Sequence, residues 1–367
     1  MSGIYIHVPF CLSKCAYCGF FSVPTLKHKA DFLEALKQEM VSRLDYLHGD
    51  SVETIYFGGG TPSLLTLEEL KAILDLLYEC FPVESGAEIT LEANPDTLSL
   101  EYLQGLRSLG VNRLSIGIQS FFDDDLRYLS RRHDSGHALQ CVAMAKEAGF
   151  NNISLDLIYG LPTSDGEQWS RNLDLFFGLE VPHLSAYALS LEPNSILTKQ
   201  IEMGKALSVN EEDAVRDYEI LCRKAADHGF LHYEISNFCK PGWRSRHNSS
   251  YWFQVPYLGL GPAAHSFDGQ SRQWNVSNSA FRIPHSEFDP LSPDQIYDEY
   301  VMLRLRTMWG IDLKYLKREM GERFAEHCER RAEPLIAQGR LSRTREFLYL
   351  NDQQMLFADG IAEVLFW

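Results

Sequence analysis

A strand-then-helix alternation runs through most of the chain and limits its fold more than any other feature. Short apolar-rich runs at residues 4–8, 52–57, 88–92, 113–118, 153–158 and 184–189 read as strands, and helical patterns separate them. The first helical pattern, over residues 29–47, places Phe32, Leu33, Leu36, Met40 and Leu44 on one face. The second opens with Thr66-Leu67-Glu68-Glu69, a capping-box signature. Six such units imply right-handed crossovers and a parallel sheet. The sheet either closes toward a barrel or winds open on two faces, and periodicity does not choose between them. In both arrangements the ligand site lies at the carboxyl ends of the strands.

Polar groups cluster along that rim. Cys11, Cys15 and Cys18 follow the first strand in HVPFCLSKCAYCGFF, and Gly58-Gly59-Gly60-Thr61-Pro62 follows the second. Glu92 ends the third strand, Gln119 follows the fourth, and Asp156 lies within the fifth. A thiolate is a soft ligand for iron or zinc, and three within eight residues can converge on one centre. Structural zinc takes four ligands in tetrahedral array, whereas a cubane iron–sulfur cluster on three cysteines leaves one iron open to a small molecule. The plainer alternatives are a structural metal loop or three buried thiols. The glycine triplet lets backbone approach a ligand without interference from Cβ, although turns use glycine too.

Size and charge narrow the function. At 367 residues the chain suits one large α/β domain with a smaller one added. A formal charge of −16 argues against nucleic acid, whose binders need a basic footprint. No run of 18 apolar residues spans a membrane. The opening MSGIYIHV shows no basic region or cleavage site, and Cys80, Cys141, Cys222, Cys239 and Cys328 have no framework spacing. Both facts lead us to expect a cytoplasmic protein, with peripheral attachment to a membrane left open.

Past residue 195 the alternation fades into a helix over 211–228 and a strand over 230–235. Residues 237–274 carry too many large apolar side chains for a linker, and 280–293, with Pro284, Pro290 and Pro293, read as a connector. Helical patterns over 295–309 and 313–338, with short elements at 347–350 and 362–366, complete a helix-rich C-terminal unit. The expected division is residues 1–236, 237–293 and 294–367.

The CxxxCxxC loop resembles that of the radical S-adenosylmethionine (SAM) superfamily, whose members bind a 4Fe-4S cluster and let the amino acid end of SAM chelate the fourth iron. That resemblance implies a partial (β/α)6 barrel and SAM as cofactor. GGGTP stands where the superfamily's GGxxP-type segment meets the SAM amino group, which implies SAM contacts at Gly59, Gly60 and Thr61. Tyr17 stands where an aromatic packs on the adenine. The motifs YIHVPFC (Tyr5), ITLEANPD (Glu92), LSIGIQSF (Gln119), LSRRH (Arg131) and LDLIYGLP (Asp156) are similar, in order, to those of the oxygen-independent coproporphyrinogen III oxidases and the HemW-type heme chaperones. In that family the matching residues contact SAM, so Tyr5, Glu92, Gln119, Arg131 and Asp156 are expected to do so. A zwitterion with a sulfonium needs a cation for its carboxylate and acids or amides for its amine and hydroxyls.

Two departures set the chain apart from the oxidases. Phe20 stands where their fourth cysteine follows, and only ten residues precede Cys11. HNSSYW, residues 247–252, resembles the heme motif of the HemW group and implies His247 as an iron ligand, with His265 and Cys239 as second choices. The expectation is a carrier that binds heme, a 4Fe-4S cluster and SAM, lacks coproporphyrinogen oxidase activity, and passes heme to acceptor proteins such as membrane-associated respiratory enzymes. The alternative is the oxidase itself.

Overall fold

A computed structural model describes residues 2–193, 195–276 and 286–367, with the side chains of 286–288 set aside. Strands β1 (Ser2–Val8), β2 (Val52–Gly59), β3 (Val83–Ala93), β4 (Arg113–Gln119), β5 (Asn152–Tyr159) and β6 (His183–Ala188) lie side by side in chain order, all parallel. Helices α1 (Lys29–Ser42), α2 (Leu67–Cys80), α3 (Leu100–Ser108), α4 (Asp123–Tyr128), α5 (Ser135–Glu147) and α6 (Gly166–Gly178) make the crossovers. The capping box of α2 is formed in full. Thr66 Oγ1 accepts from the Glu69 amide at 3.2 Å, and Glu69 Oε2 accepts from the Thr66 amide at 2.8 Å.

Added strands occupy both edges and keep the sheet open. Beyond α7 (Ile196–Glu202) and α8 (Glu211–Asp227), the antiparallel pair β7 (Leu231–Glu234) and β8 (Asn237–Cys239) covers β6. After α9 (Arg246–Trp252), β9 (Tyr257–Leu260) pairs parallel with β1. An antiparallel run of β10 (His265–Phe267), β11 (Ser271–Asn275) and β12 (Ser286–Pro290) continues outward from it. The result is a partial barrel with strand order 12-11-10-9-1-2-3-4-5-6-8-7.

Period-two alternation separates two environments. Along β1, Ile4, Ile6 and Val8 join the main core with Phe32 and Leu36 of α1, so Tyr5 and His7 face the other way, into the barrel. Along β4, Leu114, Ile116 and Ile118 enter the same core, and Arg113, Ser115, Gly117 and Gln119 face inward. The helices thus bury the apolar face, and a polar face is left for a ligand.

A second core holds the C-terminal unit, where Tyr297, Val301 and Leu305 of α10 (Pro293–Leu305) pack with Phe324, Leu335, Leu348 and Ile361. This unit also carries a three-stranded antiparallel sheet. Two helical expectations need correction. The pattern over 29–47 stops at Ser42, after which i→i−3 bonds such as Tyr46 N–H to Arg43 O (3.1 Å) wind the chain through tight turns. The pattern over 313–338 is broken at Gly321, whose φ of 106° lies outside the helical region, and regular helix resumes at Glu322–Ala337. Of the connector expected at 280–293, residues 280–285 lie outside the described residues, while 286–290 form β12 and Ser292 caps α10. Among the described residues no helix is long and apolar enough to cross a membrane.

Candidate functional site

The loop after β1 is pinned at its base. Val23 N–H donates to Pro9 O (2.7 Å), Cys11 N–H to Val23 O (3.1 Å), and Gly60 N–H to Val8 O (2.8 Å). A Cβ on Gly60 would lie 2.6 Å from Phe10 O, and one on Gly59 (φ 104°) would lie 2.6 Å from the His7 ring. These two glycines are therefore required first for the packing of loop against strand, before any ligand is considered.

A cavity of about 590 Å³ opens at the carboxyl ends of β1–β6, lined by Cys11, Cys15 and Cys18 on one wall. Tyr17, Gly59, Gly60, Thr61, Glu92, Gln119, Arg131 and Asp156 line the same space, so eleven of the expected residues share it. Thr61 Oγ1 donates toward Cys11 Sγ at 3.6 Å, and Arg131 Nη1 donates to Cys15 Sγ at 3.3 Å. Burial raises the Cys11 and Cys18 thiols above their ordinary range, and their neighbouring thiols raise them further. Assembly with a cationic metal centre reverses that penalty.

Arg131 does more than wait for a carboxylate. Its Nη2 donates to Asn94 Oδ1 (2.5 Å) and to Gly117 O (2.7 Å), while the buried Nε has no hydrogen-bond partner among the described residues. Gly117 makes this possible, because a Cβ there would meet the Gln119 amide at 2.7 Å and Arg131 Nη2 at 3.4 Å. Gln119 ends β4 with φ at 70°, a left-handed conformation uncommon for a residue with a side chain.

Two buried acids line the same cavity. Glu92 accepts from the Tyr56 hydroxyl (2.8 Å) and the Gly59 amide (3.1 Å), and burial pushes its pKa up to about 7. Asp156 accepts from Ser115 Oγ (3.2 Å), and burial raises it to about 6. The charge of Asp156 raises Glu92 further, and buried Arg113 partly offsets both shifts.

The donor sets fit the expected groups. Three thiols in one cavity suit a cluster with separate iron corners, and two buried acids together with an arginine suit a zwitterion that carries extra positive charge. Residues 5–176 match the Radical SAM superfamily and residues 291–357 the HemN C-terminal domain. The protein named heme chaperone HemW from Mycobacterium tuberculosis is 33% identical over 375 residues, covering 99% of this chain and 94% of its own. Its namesake from Bacillus subtilis is 33% identical over 371 residues, covering 98% of each chain. This chain belongs to the HemW family of radical SAM proteins. The solved coproporphyrinogen III oxidase HemN from Escherichia coli, a radical SAM enzyme, shares the fold, with a TM-score of 0.82 and 24% identity over 99% of this chain and 89% of that one.

Membership in the HemW family implies a 4Fe-4S cluster and SAM, and two expected residues stand apart from the cavity that would take them. Tyr5 lines a neighbouring cavity, where its hydroxyl meets His7 Nδ1 at 3.2 Å and its ring stacks near Tyr56 and His247. His247 is 1% exposed and lines neither space. Its Nδ1 pairs with Thr54 Oγ1 and its Nε2 with the Tyr251 hydroxyl, both at 2.8 Å, and its ring lies 5.0 Å from that of Tyr56. Burial lowers its pKa to about 3. With both ring nitrogens hydrogen-bonded and no exposure to either cavity, His247 anchors α9 against β2 in this structure. Cys239 is likewise fully buried.

Sequence reading missed Tyr56, Asn94, Arg113 and Ser115. The signal was present, since Arg113, Ser115, Gly117 and Gln119 alternate with apolar residues, and Asn94 lies two places after Glu92.

Proposed function

We propose that the chain is a heme chaperone that holds a 4Fe-4S cluster on Cys11, Cys15 and Cys18, binds SAM beside it, and passes heme to acceptor proteins, respiratory enzymes among them. It works in the cytoplasm, reaching membrane-bound acceptors from that side. Residues 1–236 form the SAM-binding core, 237–293 the heme region and connector, and 294–367 the HemN-type C-terminal domain. The observation that carries the reading is the meeting, in one cavity, of three thiols with two buried acids and an arginine. Likeness over nearly the full length to proteins named heme chaperones supports the transfer of heme.

When bound, the cluster supplies an iron corner free of side chains, where SAM's amino acid end attaches in this superfamily. The chain's own residues set the conditions around it. Arg131 holds Cys15 Sγ and lines the cavity with a guanidinium that can share a carboxylate. Glu92 and Asp156 provide negative charge for an amine and ribose hydroxyls, Tyr17 covers the thiols with an aromatic ring, and Gly59, Gly60 and Thr61 bring backbone close. Gln119, held in its left-handed turn, adds an amide. Tyr5 acts from beneath, through the ring stack under Tyr56.

The test uses anaerobically reconstituted protein given either heme or coproporphyrinogen III with SAM and reductant. The reading expects saturable heme binding, heme transfer to an apo heme protein, and no protoporphyrinogen. Conversion of coproporphyrinogen would assign the chain to the oxidases instead.

A further inference from the structure

Beside the cluster cavity lies a second space of about 490 Å³, within the range of roughly 300–1,000 Å³ typical of small-molecule sites. Phe20 lines both cavities and is 71% exposed, so a ligand in the second space would lie next to the cysteine loop. Its walls are ring-rich. Tyr251 and Tyr257 meet edge to face at 4.6 Å, Phe21 and Phe267 face the same space, and the Arg272 guanidinium lies 5.5 Å over the Phe267 ring. Such a surface recognises a flat, largely apolar aromatic body that carries an acidic edge.

The histidines of the region differ in what their rings can still do. The His7 ring is used up by Phe21 O (2.9 Å) and the Tyr5 hydroxyl (3.2 Å). The His247 ring is used up by Thr54 and Tyr251. His265, at the start of β10, is exposed, lines the cavity, and makes no ring hydrogen bond among the described residues. It is held in place by Trp274 across the strand pair, with ring centroids 6.1 Å apart. Partial burial and the nearby Arg272 lower its pKa, which favours the neutral imidazole that binds metals. Arg272 gives Nε and Nη2 to Glu299 (2.9 and 2.8 Å), and its guanidinium lines the cavity beside the Tyr257 hydroxyl, where it can meet an acidic group.

We propose that this second cavity is the docking site for an iron porphyrin, with a ring nitrogen of His265, rather than of His247, bonded to the iron and Arg272 meeting a propionate. The assignment rests on the heme-carrier reading, and it makes the ring-lined wall between β1, α9 and β10 the place where cargo waits beside the cluster. Tyr251 then has two neighbours to serve. Its hydroxyl locks His247 inside, and its ring faces the cargo.

Hemin is titrated into the reconstituted wild-type protein and into His265→Ala, His265→Met and His247→Ala, with folding of each checked by circular dichroism. The expected result is at least tenfold weaker binding and a displaced Soret band for His265→Ala, with the wild-type band restored by added imidazole. His265→Met should bind with a spectrum different from both. His247→Ala, in its folded fraction, should keep the wild-type Soret position. Wild-type affinity and spectrum in His265→Ala would overturn the site, while the carrier reading would stand. Failure of wild-type protein to bind hemin would overturn the carrier reading together with the site.

Discussion

Replacing Glu92 by glutamine should change how stability depends on pH, and the size of the change can be worked from its surroundings. Glu92 is buried against Tyr56 and the Gly59 amide, and its pKa stands at about 7 where an exposed glutamate titrates near 4.5. The unfolded chain therefore releases this proton first as pH rises, and the folded chain keeps it until about pH 7. Stability from this group is full below the unfolded value and is lost as pH climbs through the folded one. Between pH 5.5 and 8 the loss is about 2 kcal/mol. The amide introduced by Glu92→Gln cannot ionise, so the variant lacks this slope, although that amide presents a donor to the Gly59 N–H and costs roughly 1–3 kcal/mol at every pH. Denaturant unfolding should show the variant gaining about 2 kcal/mol on wild type between pH 5.5 and pH 8. Subtraction removes the contribution of Glu234, which is raised by burial as well. A gap of equal size at both values would refute the reasoning, since it would mean that Glu92 is already ionised in the folded apoprotein.

Arg131→Met should lower both SAM affinity and iron content, because the guanidinium contacts Cys15 as well as Asn94 and Gly117. Iron retained at the wild-type level, measured after anaerobic reconstitution, would limit Arg131 to SAM. Gly60→Ala forces a methyl against Phe10 O at 2.6 Å and should destabilise by roughly 1–3 kcal/mol with loss of cluster assembly, read from thermal melts and iron content. Alanine at Cys11, Cys15 or Cys18 should abolish the cluster absorbance, whereas Cys141→Ala, in the main core where the thiol donates to Ala138 O, should lower stability and leave the absorbance intact.

The six strands and the rim of polar groups were legible because both are local: apolar runs mark strands, and residue types at their ends follow in sequence. Openness of the barrel was not legible, since it depends on β9 docking beside β1 and β8 beside β6, pairings that join residues far apart in the chain. His247 shows the same limit at one side chain. HNSSYW resembles a heme motif, and what the motif does not announce is that Ser245 caps α9 and the Glu88 carboxylate accepts from the His247 backbone amide, with the imidazole against Thr54. No local pattern announces a partner nearly two hundred residues away. Arg131 is an intermediate case, because its place near the cavity follows from its motif, while its bond to Cys15 depends on how the loop after β1 folds back over residue 129.

The central claim is an iron corner that the chain leaves open beside a pocket for a zwitterion. It is tested most directly by electron paramagnetic resonance of the reduced, reconstituted protein before and after SAM is added. Four irons per chain and a cluster signal that shifts with SAM, but not with methylthioadenosine, which lacks the amino acid end, are the predicted result. A bound zinc ion, or a cluster signal that SAM leaves unchanged, would contradict the account.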